Sequence, residues 1–232
     1  MEAYLGEFLG TMILVFLGDS VVANVILAKT KGNGSGWAVI SLGWMVAVMV
    51  PVMMFGSMSG AHFNPAVTLG LVALGGFSAA LAPAYIACQM LGGIVAGILV
   101  WVFYKDHFDA TEDQNTKLAV FSTGPAIRNL GRNFISEFIA TFLLVFAIIG
   151  IGNAVDVPGP VGVAAIILAM GTALGGTTGY ALNPARDLGP RIAYALLPIK
   201  DKRDPDWGYS WVPVLGPLAG GLVAGLLGML VF

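Results

Sequence analysis

The sequence predicts an all-α membrane protein with six transmembrane helices and two re-entrant half-helices, arranged as an inverted repeat. Its 232 residues are 57% hydrophobic and only 10% charged, with a mean hydropathy of +0.86, whereas about 25% of the residues in an average soluble domain are charged. Six apolar runs reach the roughly 20 residues that a membrane helix needs, and the second half of the chain repeats motifs of the first. The net charge of −2 without a basic block excludes nucleic-acid binding, and the single Cys88 excludes a disulfide scaffold.

The six apolar runs cover residues 4–28, 37–58, 80–103, 133–152, 158–178 and 208–232. Polar or Gly/Pro-rich breaks lie at 29–36, 105–131, 152–158 and 200–207. The first run has no Lys or Arg ahead of it and is longer than the hydrophobic part of a signal peptide, so we expect it to be a span. Glycines spaced four residues apart, such as Gly93 and Gly97, predict close packing between helices.

Two further apolar segments, residues 64–75 and 184–194, are too short to cross a bilayer. A helix of about 11 residues is roughly 16 Å long, about half of the hydrocarbon core. An Asn-Pro-Ala triplet stands at the start of each segment, and the two triplets are Asn64, Pro65 and Ala66, and Asn183, Pro184 and Ala185. Asn is a preferred N-cap and Pro suits the first helical position, so each triplet begins a half-helix.

Two stretches of the first half recur in the second. Residues 7–16 (EFLGTMILVF) and 137–146 (EFIATFLLVF) agree at six of ten positions. Residues 60–70 (GAHFNPAVTLG) and 179–189 (GYALNPARDLG) agree at six of eleven. Three spans per half is an odd number, so the second half enters the membrane from the opposite face. Paired half-helices at corresponding positions of such a repeat indicate a central site.

Half-helices that enter from opposite faces meet by their N-termini at the middle of the bilayer. Each N-terminus carries roughly half a positive charge, so the facing pair forms a barrier to cations and protons. The side-chain amides of Asn64 and Asn183 would donate hydrogen bonds to a passing oxygen atom. The repeat therefore predicts a pore with a polar midpoint.

These motifs resemble the aquaporin, or major intrinsic protein, family over the whole chain. The resemblance rests on SGAHFNPAVTLG, GYALNPARDLGPR and the repeated Glu-Phe opening. It implies six tilted helices, two half-helices, a pore in every protomer and a homotetramer. Asp187, directly after Asn-Pro-Ala-Arg, is typical of the glycerol-facilitator branch. We predict one transmembrane channel domain over 1–232, consisting of a first repeat at 1–104, a connecting loop at 105–131 and a second repeat at 132–232.

The resemblance also implies a narrow selectivity filter, whose four residues follow from their offsets to the triplets: Trp44, Gly171, Tyr180 and Arg186. Gly171 stands where water-selective members carry His, which should widen the pore and make it less polar. Tyr180 replaces the usual Phe of glycerol facilitators, so its hydroxyl either narrows the filter or offers another hydrogen bond. Trp44 and Tyr180 would form an apolar corner for carbon atoms, and the guanidinium of Arg186 a polar edge for hydroxyls.

Four polar residues are predicted to support the loops around the half-helices: Glu7, Glu137, His62 and Asp187. Glu7 and Glu137 lie inside apolar runs, where a carboxylate is functional by default. A proton relay is one interpretation; the resemblance implies instead that they accept backbone hydrogen bonds from the re-entrant loops, which we favour. His62 is expected to pack beside the first loop, because no second metal ligand lies near it in sequence. Asp19, in the first span, has no assigned role beyond a buried hydrogen bond.

All 11 Lys and Arg residues lie in the first, third and fifth connections, counting the second half-helix with the fifth. The positive-inside rule predicts that this face is cytoplasmic, whereas the resemblance places it outside, with both termini inside. We follow the resemblance, because Arg186 then belongs to the outer vestibule. The short terminal segments favour a bacterial plasma membrane.

We expect a passive channel for glycerol and other small uncharged solutes, with some water permeability and exclusion of ions and protons. Its expected partners are these solutes, water and membrane lipid; no catalytic residue, cofactor, metal or nucleic acid is predicted. Several alternatives stay open. The chain could be a water-selective channel, a facilitator for undissociated lactic acid, dihydroxyacetone, urea or hydrogen peroxide, a coupled secondary transporter, or a structural tetramer.

Overall fold

The computed structural model describes residues 1–152 and 159–232, and the regular elements in these ranges are helices. They are α1 (Glu2–Ile26), α2 (Trp37–Ser59), α3 (Pro65–Leu74), α4 (Ala82–Phe103), α5 (Lys105–Ala110), α6 (Gln114–Phe121), α7 (Leu130–Gly152), α8 (Gly159–Ala169), α9 (Pro184–Leu196), α10 (Trp207–Ser210) and α11 (Val212–Val231). The break predicted at 152–158 lies outside the described residues except for Gly152, as does Pro158, the first residue of the fifth run.

The predicted spans correspond to α1, α2, α4, α7, α8 and α11. Four of these helices and the segment Trp207–Val231 are long and apolar enough to cross a membrane. The 11 residues of α8 continue as a 5-residue π-helix, Met170–Leu174. The prediction that this run extends to residue 178 is wrong, because Gly175 and Gly176 follow and glycine is a weak helix former.

The half-helices α3 and α9 contain 10 and 13 residues, respectively. Each packs against the last span of the other half of the chain, α3 against α11 and α9 against α4. The first and last spans of each half also pack together, as α1 with α4 and α7 with α11. This matched set of contacts is the inverted repeat that the sequence predicts.

Two glycines allow the half-helices to approach these spans closely. A side chain at Gly93 on α4 would clash with the carbonyl oxygen of Ala185, and a side chain at Gly221 on α11 would clash with that of Ala66. Both carbonyls belong to Asn-Pro-Ala triplets, so the two contacts are equivalent. Backbone-to-backbone packing of this kind is how small residues join helices in a membrane.

The connection between the halves differs from the loop predicted at 105–131. It contains the short helices α5 and α6, and α7 already begins at Leu130. The carboxylate of Asp113 caps α6 by accepting a hydrogen bond from the backbone nitrogen of Thr116 at 2.8 Å. The buried rings of Phe108 and Phe121 lie 5.4 Å apart and anchor the two helices to the bundle. Helices of 6 and 8 residues are too short for hydrophobic periodicity to reveal them.

Candidate functional site

A cavity of about 650 Å³ is lined by residues from both halves of the chain. Its wall follows α2 from Trp44 through Val48 and Val52 to Gly56, a distance of about 18 Å along the helix axis. The polar side chains in its wall include those of Asn64, Asn183 and Arg186, and much of the remaining wall is apolar, from Leu14, Val67, Leu71, Leu144, Ile148, Val163 and Ile167. The cavity therefore offers a long apolar path with a few polar groups.

Both half-helices begin at this cavity with the same capping geometry. The side-chain oxygen of Asn64 accepts a hydrogen bond from the backbone nitrogen of Ala66 at 2.8 Å. The side-chain oxygen of Asn183 accepts one from the backbone nitrogen of Ala185 at 2.9 Å. Because each cap satisfies a helix N–H group and Pro takes the first helical position, the triplets start the helices as predicted.

The two asparagine amides also join the halves to each other. Nδ2 of Asn64 donates to the carbonyl oxygen of Leu182 at 2.9 Å, and Nδ2 of Asn183 donates to that of Phe63 at 2.8 Å. The sequence predicts that these amides donate to a passing solute. An amide carries two N–H donors, so each asparagine uses one to hold the opposite loop and has a second on a side chain that lines the cavity.

The loops before the half-helices have an unusual backbone. Ala61 and Phe63 in the first loop have φ of 52° and 49°, and Tyr180 and Leu182 in the second have φ of 40° and 56°. Such left-handed conformations are uncommon for residues with a side chain and cost on the order of 1–3 kcal/mol each. The two loops have these left-handed residues at corresponding positions, so contacts from surrounding side chains must stabilise both loop conformations.

Glu137 holds the second loop. Its Oε1 accepts hydrogen bonds from the hydroxyl of Thr178 at 2.6 Å and from the backbone nitrogen of Ala181 at 3.0 Å. Its Oε2 accepts from the backbone nitrogen of Leu182 at 3.0 Å. The carboxylate is fully buried, and these three donors replace the water that it lacks.

Glu7 makes the equivalent contacts with the first loop. Its Oε1 accepts from the hydroxyl of Ser59 at 2.7 Å and the backbone nitrogen of His62 at 3.0 Å, and its Oε2 accepts from the backbone nitrogen of Phe63 at 2.8 Å. The amide of Gln89 adds a fourth donor at 2.7 Å. The two carboxylates thus occupy matching positions and bind matching backbone groups.

The ring of His62 packs beside the first loop. Its centroid lies 4.7 Å from that of Phe77 and 5.1 Å from that of Tyr85, and its Nδ1 lies 3.1 Å from the hydroxyl of Thr68. Within the described ranges, no group of three or more His, Cys, Asp or Glu side chains could hold a metal ion. The surroundings of His62 are those of a packed aromatic side chain.

Asp187 supports a loop, as predicted, but a different one from those that Glu7 and Glu137 hold. Its Oδ2 accepts hydrogen bonds from the backbone nitrogen and the hydroxyl of Thr123, both at 2.7 Å. Its Oδ1 accepts from Nε and Nη2 of Arg191 at 2.9 and 2.7 Å. Thr123 lies in the connection between the halves, so Asp187 fixes that connection to α9 rather than the loop before the half-helix. Arg191 is four residues along the same helix, the spacing of a helical ion pair.

Three of the four predicted filter residues meet in the cavity wall. The guanidinium carbon of Arg186 lies 4.2 Å from the centroid of the Trp44 ring, close enough for a cation–π contact. Tyr180 lines the same cavity. The sequence predicts only a buried hydrogen bond for Asp19, but neither of its carboxylate oxygens makes one among the described residues. The structure instead brings its Oδ1 to 3.5 Å from Nη1 of Arg186.

Gly171, the fourth filter residue, is buried behind this wall. A Cβ atom at Gly171 would lie 2.9 Å from the hydroxyl of Tyr180 and 2.9 Å from that of Ser41. The sequence predicts that Gly171 widens the pore, but the Tyr180 hydroxyl occupies the vacant space. Trp37 donates from Nε1 to the carbonyl oxygen of Gly171 at 2.8 Å. Ser41 and Trp37 are contacts that the sequence did not indicate, because they depend on how α2 meets the π-helix.

Comparisons with known proteins agree with this architecture. Residues 1–227 match the family model described as "Major intrinsic protein". A Thermotoga maritima protein named "Probable glycerol uptake facilitator protein" is 52% identical over 229 residues, covering 98% of both chains. A Streptococcus pneumoniae "Glycerol uptake facilitator protein" is 50% identical over 230 residues, again 98% of both chains. Among solved structures, the aquaglyceroporin from Plasmodium falciparum superposes with a TM-score of 0.84 at 33% identity, covering 97% of this chain and 93% of the other.

Proposed function

The chain belongs to the major intrinsic protein family, and from this premise we propose that it is a passive transmembrane channel for glycerol and other small uncharged solutes. Some water passes through the same pore, and ions and protons are excluded. The observation that carries this function is the long, largely apolar cavity whose polar groups include the guanidinium of Arg186 and the amides of Asn64 and Asn183. Relatives named glycerol uptake facilitators, 46–52% identical, support it.

A polyol fits the two kinds of surface in this cavity. Its carbon atoms contact the ring of Trp44 and the aliphatic wall, while its hydroxyl groups accept hydrogen bonds from Arg186 and then from the free N–H groups of Asn64 and Asn183. A solute without hydrogen-bonding groups leaves these donors unpaired, which is unfavourable in a dry pore. A charged solute loses its hydration without adequate replacement, and the N-termini of α3 and α9 repel cations.

The buried carboxylates favour a passive channel over a proton-coupled transporter. Glu7 and Glu137 accept four and three hydrogen bonds, respectively, from loop and helix donors. A relay carboxylate must exchange protons with the pathway, but these oxygens are taken up by groups that hold the loops. We therefore assign them a scaffolding role, without catalysis and without a bound cofactor.

One observation favours a second candidate, a narrower pore that prefers water or a smaller neutral solute. The hydroxyl of Tyr180 fills the space that Gly171 would otherwise leave open. The two candidates differ in the size of the solute that passes. Gly171→His would add a side chain where the Tyr180 and Ser41 hydroxyls already lie, so it should sharply reduce the glycerol flux that the first candidate expects.

Solute flux into proteoliposomes tests the function. Stopped-flow light scattering records swelling after vesicles are mixed with glycerol, urea, dihydroxyacetone or lactic acid, and shrinkage in sucrose records water flux. Swelling in glycerol that exceeds that of empty liposomes and is independent of proton or sodium gradients supports the proposal. Rapid water flux without glycerol flux would support the water-selective candidate, and accumulation against a gradient would contradict a passive channel.

We propose that the protein is a homotetramer in a bacterial plasma membrane, with its termini in the cytoplasm. The bias of Lys and Arg toward the other face has a structural reason in this orientation. Several of these cations bind within the outer connections: Lys117 donates to the carbonyl oxygen of Lys200, Lys202 donates to three carbonyl oxygens around the end of α9, and Arg128 pairs with Asp206. Such cations serve folding of that face rather than orientation.

Labelling of an introduced cysteine tests the orientation. Lys200 is exposed, so Lys200→Cys in a Cys88→Ser background should react with an impermeant maleimide added outside intact cells. Glu2→Cys, at the exposed start of α1, is the matched control and should react only after lysis. Reaction of Lys200→Cys only after lysis would reverse the proposed orientation. Chemical crosslinking in membranes measures the number of subunits in the oligomer, which should be four.

A further inference from the structure

Asp19 on α1 is a buried carboxylate of a different kind from Glu7 and Glu137. It is 0% exposed, and neither of its oxygens makes a hydrogen bond within the part of the chain that the structure describes. Burying a carboxylate without hydrogen bonds is unfavourable unless an opposite charge lies close by. Its position therefore needs a charged partner.

Arg186 is that partner. Its Nη1 lies 3.5 Å from Oδ1 of Asp19, and Nη1 makes no hydrogen bond among the described residues. The ring of Trp44 covers the same guanidinium, with the guanidinium carbon 4.2 Å from the ring centroid. Arg186 thus contacts both an aromatic face and a carboxylate. A guanidinium is charged at every physiological pH, so the carboxylate compensates a permanent charge in the cavity wall.

Other buried carboxylates nearby are already engaged. Asp187 follows Arg186 directly in sequence, but both of its oxygens accept hydrogen bonds from Arg191 and Thr123. Glu137 binds the second loop. Asp19 is accordingly the carboxylate that pairs with Arg186 in the described part of the chain.

Asp19 has no charged counterpart in the other half of the repeat, unlike the two carboxylates that hold the loops. The alignment that pairs Glu7 with Glu137 pairs Asp19 with Ile149, an apolar residue. Arg186 likewise corresponds to an apolar residue, Val67. Each member of the ion pair therefore lacks a charged counterpart in the other half, whereas the loop-holding carboxylates occur in both halves. This asymmetry is expected of a pair that serves selection rather than folding.

We propose that Asp19 is a specificity-determining residue of the channel, whose carboxylate neutralises Arg186 and makes the constriction formed by Trp44, Tyr180 and Arg186 electrically neutral. The proposal rests on the assignment of Arg186 to the solute pathway. Arg186 keeps its hydrogen-bond donors for solute hydroxyl groups, but it does not present a net positive charge that attracts anions. Exclusion of cations is then due chiefly to the N-termini of α3 and α9.

Chloride flux into proteoliposomes, reported by an encapsulated chloride-sensitive dye, tests the proposal. Asp19→Asn has the same shape but no charge, so the uncompensated guanidinium should raise chloride flux about tenfold or more, as expected for a unit charge close to the pathway. In Asp19→Asn/Arg186→Gln the positive charge is also absent, so chloride flux should return to the native level. Asp109→Asn removes an exposed carboxylate far along the chain and serves as the matched control.

Two results overturn the proposal: native chloride flux in Asp19→Asn, or equally raised chloride flux in the double variant, since the latter indicates damage to the fold. Asp19→Ser, which is neutral and smaller, is measured in parallel so that a folding defect in one variant does not decide the outcome. Glycerol flux of the native protein in the same vesicles tests the proposed function separately. Native vesicles without glycerol flux contradict the function, whereas normal glycerol flux with unchanged chloride flux contradicts only the role of Asp19.

Discussion

Replacing Glu137 by Gln removes one charge and one acceptor from the group that holds the second loop. If the amide nitrogen takes the place of Oε2, it faces the backbone N–H of Leu182. If it takes the place of Oε1, it faces the N–H of Ala181 and the hydroxyl of Thr178, which can turn to accept. In either orientation one buried backbone N–H loses its acceptor, which costs about 1–3 kcal/mol.

The remaining hydrogen bonds lose the assistance of the charge, which adds about 1 kcal/mol. The sum of about 2–4 kcal/mol acts on a loop that already holds Tyr180 and Leu182 in left-handed conformations. We expect this loop to relax, which displaces Tyr180 and the start of α9 from the cavity wall. Glycerol flux should then fall by about tenfold or more, as the competent loop conformation becomes a minority.

Stopped-flow swelling in glycerol and the thermal unfolding midpoint of the purified protein in detergent measure the two effects of Glu137→Gln. Glu112→Gln is the matched control, since Glu112 is exposed in the connection between the halves and its replacement should leave both quantities unchanged. A Glu137→Gln protein with native flux and a native midpoint would refute the scaffolding role. Flux that becomes insensitive to pH, with an unchanged midpoint, would instead indicate a proton relay.

Three further changes test other parts of the structure. Tyr180→Phe removes the hydroxyl that fills the space beside the π-helix, so glycerol flux should rise about fivefold, the effect of roughly 1 kcal/mol at the constriction; unchanged swelling would contradict this. Gly221→Ala should destabilise the protein by about 1–3 kcal/mol and lower its unfolding midpoint, because the added Cβ would clash with the carbonyl oxygen of Ala66. Gly56→Ala is the control, because open space surrounds its Cβ and the unfolding midpoint should stay near native. The hydrogen bonds from Arg128 lower the pKa of Asp206 from its ordinary 3.8, so this pair stabilises the fold above pH 3.8 and its contribution disappears as the pH falls through the lowered pKa. Asp206→Asn should therefore make the unfolding midpoint less sensitive to acid, and an unchanged acid profile would contradict this role of the pair.

The parts of the fold that the sequence predicts well are those that depend on local chemistry. Asn is a preferred N-cap and Pro suits the first helical position, and the two triplets stand at matching places in a repeat, so the starts of α3 and α9 could be predicted from Asn64 and Asn183. The spans follow from apolar length. The helices α5 and α6 have neither signal, and the π-helix after α8 depends on packing against α2, so none of them could be predicted from the sequence.

The residues of the candidate site could be found from the sequence, but several of their contacts could not. The resemblance, through its offsets from the triplets, located Arg186 and Gly171, whereas the ion pair with Asp19 joins residues that are far apart in the chain. The same holds for the Tyr180 hydroxyl, which takes the space beside Gly171. A count of intramembrane charges did single out Asp19, but only the fold determines which cation it meets.

The exchange of contacts between the two halves also determines when the channel can form during synthesis. The partner of the Asn64 amide lies 118 residues further along the chain, and α3 packs against α11, which leaves the ribosome long after α3. The first half-helix is therefore made long before the surfaces that bury it exist, and contacts of such long sequence separation form late in folding. A nascent chain that ends before α11 lacks the helix against which α3 packs, so the conducting pathway is completed only once α11 has been made.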